Sequence, residues 1–222
     1  YAFPRPLVSQ RLVASATDTT APPSVPDYAT LTYGRPWDFE DGSLCGIDQW
    51  GNKPEFLRNR KVEKGILSFD VTQDPWFIWG DMWGQVSATS QKVAIDLERF
   101  PVLEMRVRQS VPAAKWELYG RVGNSSSLLS YNFDVTGSGW QRVRVDLRQE
   151  ARWQGVLSAF RIDPTQGVAN AHIEIDWVRL LAVTMAEQNA VETIGHPSAP
   201  AAKIALAVPT GPSVVGSKQA VT

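Results

Sequence analysis

The sequence has little of what many enzymes and nucleic-acid-binding proteins need. Its 222 residues contain one cysteine, Cys45, and two histidines, His172 and His196. A single cysteine excludes an intrachain disulfide and a cysteine-rich metal site. The formal net charge is −1, so the chain lacks the basic excess of a nucleic-acid-binding protein. No apolar run approaches the roughly 20 residues that span a bilayer, and we expect no transmembrane segment.

Recognisable catalytic motifs are also missing. His196 lies in a Pro/Ala-rich segment, which is a poor place to hold a general base rigidly. His172 is expected at the surface, at the start of the last strand. Neither histidine accompanies a nucleophile-elbow sequence, and no phosphate-binding glycine loop or zinc-ligand spacing is present. Acidic residues are plentiful, so spacing alone leaves a glycosidase-type carboxylate pair open.

The composition divides the chain into three zones. Residues 1–34 are rich in Pro, Ala, Ser and Thr and predict an extended N-terminal segment. Residues 35–183 carry the strand signals. Residues 184–222 return to a Pro/Ala-rich composition, which predicts an extended C-terminal tail.

The middle zone alternates apolar and polar residues with a period of two, which is the pattern of a half-buried strand. Clusters of Gly, Asn and Ser separate the runs. Short strands at this spacing predict an all-β, antiparallel two-sheet β-sandwich of the jelly-roll kind. The apolar members are Leu103, Met105, Val107, Trp116, Leu118, Val122, Leu129, Tyr131, Phe133, Val135, Val143, Val145 and Leu147.

The polar members of the same runs include many charged residues. We expect them on one exposed sheet face, paired across strands. Two interpretations stay open: a solvated surface, or a contact surface for a neighbouring subunit. The set comprises Glu104, Arg106, Arg108, Glu117, Arg121, Arg142, Arg144 and Asp146.

Several motifs follow one another at strand-like spacing between residues 36 and 182. They are Trp37-Asp38-Phe39-Glu40-Asp41-Gly42, Gly65-Ile66-Leu67-Ser68-Phe69, Gly139-Trp140 through Asp146-Leu147, Phe160-Arg161-Ile162-Asp163-Pro164 and Ile173 through Leu180. In this order they resemble the strands of calcium-containing carbohydrate-binding modules with a jelly-roll fold. The resemblance implies a secreted or cell-surface protein that binds polysaccharide and is not an enzyme. Both tails lie outside it.

The resemblance also implies a structural Ca²⁺ where the first and last strands meet. Its ligands here would be Glu40 and Asp176, helped by Asp38 or Asp41, because Ca²⁺ prefers carboxylate and carbonyl oxygens. Asp176 stands in an apolar run, where a carboxylate needs a partner or a metal. The alternative, that Asp176 caps a bulge or pairs with an arginine such as Arg161, stays open.

The candidate sugar-binding site is a dense aromatic cluster that begins at Asp74. The C–H face of a sugar stacks on an aromatic plane, while polar groups bind its hydroxyls. Trp76, Trp79 and Trp83 lie in a stretch punctuated by Pro and Gly, which favours a position near a loop or edge. Asp81 would supply a hydroxyl partner. The alternative is a buried strand and turn whose tryptophans fill the core.

The C-terminal tail supports a second function. Ile204, Leu206 and Val208 alternate with Lys203 and small residues, and the pattern stops at Pro209. This predicts a short strand that adds to a sheet edge of another subunit, with a flexible linker as the alternative. We therefore keep two functions: polysaccharide binding, which the resemblance favours, and a structural subunit of an extracellular filament, surface layer or multi-protein complex whose tails are exchanged between subunits.

Overall fold

The computed structural model describes residues 25–51, 56–83, 91–123, 125 and 127–183. Within these ranges the chain forms one α-helix and eleven strands, and none of its helices is long and apolar enough to cross a membrane. The helix α1 is Tyr28–Tyr33, and a 3₁₀ turn covers Leu147–Gln149. The strands are β1 Ile47–Trp50, β2 Leu57–Glu63, β3 Ile66–Val71, β4 Phe77–Gly80, β5 Ile95–Asp96, β6 Val102–Gln109, β7 Ala113–Val122, β8 Leu128–Thr136, β9 Gln141–Asp146, β10 Val156–Gln166 and β11 Ala171–Leu181.

The strands form two antiparallel sheets. Sheet I has the order β1-β4-β10-β7-β8, with the short β5 paired to β10, and sheet II has the order β2-β3-β11-β6-β9. Every pairing between the named strands is antiparallel. The antiparallel two-sheet β-sandwich predicted from the alternation is confirmed.

The core contains the inward residues of both sheets. Phe69, Met105 and Ile175 of sheet II are fully buried in the same cluster as Trp116 and Phe160 of sheet I. Each of them belongs to a run whose neighbours point outward, so burying one face of every strand removes these side chains from water. The period-two pattern of the sequence therefore assigns the core correctly.

A buried glutamine joins the two sheets. Gln109 is the last residue of β6 and is fully buried. Its Nε2 donates to the Val135 carbonyl on β8 at 2.9 Å, and its Oε1 accepts from Trp116 Nε1 on β7 at 3.1 Å. Three polar groups satisfy one another inside the core, which is the condition for burying them at all.

The segment from Trp37 to Gly42, which resembles a first strand, contributes only one bridge to the sheets. Trp37 pairs with Val178 of β11. Two residues later the backbone turns, because Phe39 has φ 59° and Gly42 N donates to the Phe39 carbonyl at 3.0 Å. The expectation of a regular strand here is corrected to a bridge followed by a turn.

The fold begins before residue 35, the boundary that the composition indicates. Asp27 caps α1, with its Oδ1 accepting from Thr30 N at 3.0 Å. Its Oδ2 accepts from Arg179 Nη1 of β11 at 2.8 Å, and both side chains are buried. Tyr28 of the helix lies in the core. An ion pair therefore fastens the segment that precedes the sandwich to the middle strand of sheet II.

The outward charges do not share one exposed face, so that expectation is wrong. Glu104 and Arg106 belong to sheet II, whereas Glu117 and Arg121 belong to sheet I. On sheet II the pairing across strands is real: Glu104 Oε1 accepts from Arg142 Nη2 at 2.6 Å. Glu104 and Arg106 are nevertheless buried, because long side chains of neighbouring strands cover them.

Replacing Asp27 by Ala should lower the free energy of unfolding by about 3 kcal/mol or more, since it leaves the buried Arg179 guanidinium without its carboxylate and removes the helix cap. Urea denaturation of the full chain measures it. Glu63→Ala is the matched control, because Glu63 pairs with Lys61 on the exposed surface and such pairs contribute ~0–1 kcal/mol. Equal losses in the two variants would contradict the structural role of the Asp27 pair.

Candidate functional site

The aromatic cluster divides between the core and the surface. Trp79 points inward from β4 and is fully buried. Its ring stacks on Trp37 with centroids 4.5 Å apart, and its Nε1 donates to the Cys45 carbonyl at 3.0 Å. A ring enclosed on both faces cannot stack on a sugar, so Trp79 leaves the candidate site. For this residue the alternative interpretation, a core tryptophan, is correct.

Trp76 and Trp83 lie together on the outer side of sheet I. Trp76 belongs to a small apolar cluster outside the main core, with Ile78 and Met82. Trp83 meets Trp76 edge to face, with centroids 6.4 Å apart and planes at 69°. Trp76 is buried, whereas Trp83 is 46% exposed. The cluster therefore presents one tryptophan to solvent on a support that is already packed.

A glycine at the end of β4 directs the chain toward this surface. Gly80 has φ 82°, and a Cβ there would come within 2.5 Å of the Ser158 carbonyl on β10. Only glycine accepts both conditions. The next amide, Asp81 N, donates to the same Ser158 carbonyl at 3.3 Å. Asp81 is half-buried and stands two residues before Trp83 in the sequence, and its role as a hydroxyl partner stays a prediction.

A buried arginine stands at the centre of the outer face. The Arg161 guanidinium carbon lies 4.7 Å from the ring centre of Tyr119, 5.0 Å from that of Trp76 and 6.0 Å from that of Trp83. Two hydrogen bonds join the guanidinium to the Asp163 carboxylate, one of them from Nε to Oδ1 at 2.6 Å. Three aromatic rings therefore surround one charged group whose orientation the carboxylate fixes.

Burial shifts the acid–base behaviour of this centre. It raises the pKa of Asp163 to about 6, while the hydrogen bonds and the positive charge of Arg161 act in the opposite direction. Burial also raises the pKa of Tyr119 to about 12, helped by the neighbouring Glu117. The Tyr119 hydroxyl therefore keeps its proton at neutral pH and remains a hydrogen-bond donor.

Sequence reasoning did not assign a binding role to Arg161 or Asp163. Both lie in a motif noted only as a strand, and both are outward residues of β10, two positions apart. The usable signal was a pair of opposite charges two residues apart in an otherwise apolar run, because such a pair occupies the same face of a strand.

A pocket of about 260 Å³ opens beside Trp83. Its lining includes, among the described residues, Met82, Trp83, Arg121, Ser125 and Leu128. The exposed tryptophan therefore borders both the polar centre at Arg161 and a recess whose described lining is apolar except for Arg121 and Ser125.

Glu40 and Asp176, the predicted calcium ligands, each have a different described neighbour. Glu40 is exposed, with its carboxylate packed over Gly65 in the turn between β2 and β3. Asp176 is the bulged residue of β11, and its Oδ2 accepts from Arg106 Nη1 at 2.7 Å. Among the residues described, no three acidic, His or Cys side chains are grouped as a metal requires. Calcium binding by Glu40 and Asp176 stays a prediction, and the described partner of Asp176 is Arg106 rather than Arg161.

The predicted assembly strand lies outside the described residues. Ile204, Leu206 and Val208 belong to the C-terminal part of the chain that follows residue 183. Their pairing with another subunit stays a prediction.

Comparison with known proteins gives structural similarities only. No family model and no curated protein match the chain. A carbohydrate binding module of family 29 is similar at 10% identity and a TM-score of 0.38, over 60% of this chain and 77% of that one. A mutant of CBM29-2 complexed with mannohexaose is similar at 10% identity and a TM-score of 0.38, over 60% of this chain and 80% of that one. A CBM4 structure is similar at 12% identity and a TM-score of 0.38, over 66% of this chain and 84% of that one. Likeness of this size carries no argument about function.

Asp163 should titrate in the folded protein near pH 6, against about 3.9 in the unfolded chain. The folded state then holds the proton more tightly, so the free energy of unfolding should fall as pH rises from about 4 to about 6, by up to ~1.4 kcal/mol per pH unit. Asp163→Asn should remove this slope, as measured by urea denaturation across that range.

Asp41→Asn is the control for this titration. Hydrogen bonds from Ser43 lower the pKa of Asp41, so its stabilisation is lost only as pH falls below about 4. This variant should keep the slope between pH 4 and 6. A slope that survives in Asp163→Asn would show that another group titrates there.

Proposed function

We propose that the chain binds a polysaccharide on the outer face of sheet I and does not catalyse its cleavage. The observation that carries this proposal is the half-exposed Trp83 ring, held against the buried Trp76 and beside the Arg161 centre. A flat aromatic surface next to fixed polar groups matches the two faces of a sugar ring, one of C–H groups and one of hydroxyls.

The support beneath Trp83 favours binding because little has to be ordered when a ligand arrives. Trp76 is packed in its own cluster, and Arg161 is fixed by Asp163 and by the Tyr119 ring. Groups already fixed lose little conformational freedom on binding, which leaves more of the contact energy as affinity. Tyr119 and Glu117 on β7 extend the same face with a hydroxyl and a carboxylate.

The acidic group at the centre is poorly suited to catalysis. A glycosidase needs two carboxyl groups that reach opposite sides of the glycosidic bond. Asp163 is 1% exposed, and both of its oxygens accept hydrogen bonds from Arg161. We therefore infer a structural role for this carboxylate: it holds the guanidinium under the aromatic surface.

An extracellular or cell-surface location goes with this proposal, because polymeric glycans occur mainly outside cells. The second function, a self-assembling structural subunit, rests on the tail beyond residue 183 and stays a prediction. No described contact favours it over sugar binding. Deleting residues 184–222 and measuring the oligomeric state would test it independently of any glycan.

Trp83→Ala should weaken retention on the bound polysaccharide by about tenfold or more, equivalent to ~1.4 kcal/mol, because it removes the exposed stacking surface. Affinity electrophoresis against soluble glucan, mannan, xylan and galactan measures the loss. The melting temperature should change little, since nearly half of the Trp83 surface is already in water.

Trp140→Ala is the matched control. Trp140 precedes β9 of sheet II and carries the guanidinium groups of Arg106 and Arg108 on its ring, at 4.4 and 5.1 Å. This variant removes a half-buried tryptophan from the opposite sheet and should bind like the unaltered protein. Binding that depends on Trp140 and not on Trp83 would show that the site lies on sheet II and would contradict the proposal.

A further inference from the structure

The pocket beside Trp83 contains a positive charge that the described chain does not neutralise. Every hydrogen bond of the Arg121 guanidinium in the described residues goes to a main-chain carbonyl: Nε to Ser125 at 3.0 Å, and Nη1 to Asp81 and Met82 at 3.4 Å each. No ion pair within 4.0 Å joins Arg121 to a described carboxylate. Carbonyl dipoles orient the guanidinium but leave its net charge in place.

The other cation at the centre of this face is matched. Arg161 is paired with Asp163 at hydrogen-bond distance and has Asp74 at 3.8 Å. The two arginines of one surface therefore differ in kind. Arg161 is a compensated group under the rings, whereas Arg121 has no carboxylate partner among the described residues and lies at the wall of a recess.

The recess has a suitable size and lining for one charged sugar ring. Its volume is about 260 Å³, and the exposed Trp83 forms one wall while Met82 and Leu128 supply apolar surface. Among its described lining residues, Arg121 is the only charged one. A sugar stacked on Trp83 would bring its substituents toward this guanidinium, where a negative group forms the strongest hydrogen bonds available.

We propose that the pocket beside Trp83 receives an acidic sugar, a uronate or a sulfated residue, whose negative group contacts Arg121. This inference rests on the proposed polysaccharide binding and adds a ligand class and an orientation to it. Neutral sugars of the same polymer lie toward Tyr119 and the aromatic surface above Arg161. The acidic sugar lies at the Arg121 end, so the surface binds the polysaccharide in one direction.

The test compares matched polymers on the full chain. The probes are the neutral polysaccharide retained through Trp83, the same polymer with its primary hydroxyls oxidised to carboxylates, and a sulfated form; xylan has no primary hydroxyls, so glucuronate-substituted xylan takes the place of its oxidised form. We expect the acidic forms to bind about three- to tenfold more tightly at low salt, with the advantage falling as salt is raised. A preference for only one form identifies carboxylate or sulfate as the group recognised. If no neutral polymer is retained, the acidic forms are tested directly.

Variants assign the preference to Arg121. Because Arg121 also holds the backbone of Asp81 and Met82, the quantity compared is the ratio of acidic to neutral affinity within each variant. Arg121→Gln should bring this ratio to about one, and Arg121→Lys should retain part of it, since the charge remains. Lys115→Gln is the matched control: it removes a positive charge from the same sheet, but one already paired with Asp134.

The outcomes separate the two proposals. Equal affinity for neutral and acidic polymers in the unaltered protein overturns the role of the pocket and leaves polysaccharide binding intact. An acidic preference that falls equally in Lys115→Gln and Arg121→Gln reflects general surface charge and also overturns it. Absence of binding to every polymer, neutral or acidic, removes the proposed function and this inference together.

Discussion

A buried guanidinium needs a carboxylate partner and a cover of other side chains, and the residues around Arg161 meet both needs. Taking its charge out of water is costly unless a carboxylate and good geometry compensate. Asp163 meets the first need from the same face of β10, and the rings of Trp76 and Tyr119 meet the second. The outer face of sheet I is consequently a second packed layer, on which Trp83 is an exposed aromatic ring and Tyr119 is half-buried.

The outer faces of sheets I and II both combine tryptophan with arginine, but with opposite effects on the exposure of the tryptophan ring. On sheet II, Trp177 lies between the guanidinium groups of Arg142 and Arg179, at 5.6 and 5.8 Å, and is buried. Its ring has no surface left for a ligand. On sheet I, Trp83 has a single guanidinium at 6.0 Å and keeps nearly half of its surface. Arginine therefore covers the Trp177 ring on sheet II and supports the Trp83 ring on sheet I.

The alternation of apolar residues predicted the sandwich and most of its core, because burial on one face of a strand leaves a period of two in the sequence. It could not tell which sheet a strand joins, so charged residues of both sheets were expected on one face. It also could not anticipate Gln109, whose inward position is permitted only by Trp116 and the Val135 carbonyl. These partners depend on which strands face each other across the sandwich, and the alternation does not specify that.

The candidate site was predicted in part. Composition located the tryptophan-rich segment, and Trp83 occupies the exposed position that a sugar needs. Trp79 lies in the core instead, because β4 places alternate residues on opposite faces of the sheet. The number of tryptophans in a segment does not show which face each one occupies. Asp176 met its expected need for a partner through Arg106, whereas the calcium ion that the resemblance implied stays a prediction.

The most direct test of the account is to observe the indole N–H signals of the nine tryptophans by NMR while a soluble fragment of the bound polysaccharide is added. Trp83 should shift most and its neighbour Trp76 less. The signals of Trp140 and Trp177 on sheet II should stay in place. A titration that moves Trp140 or Trp177 and leaves Trp83 unchanged would contradict a binding surface on sheet I.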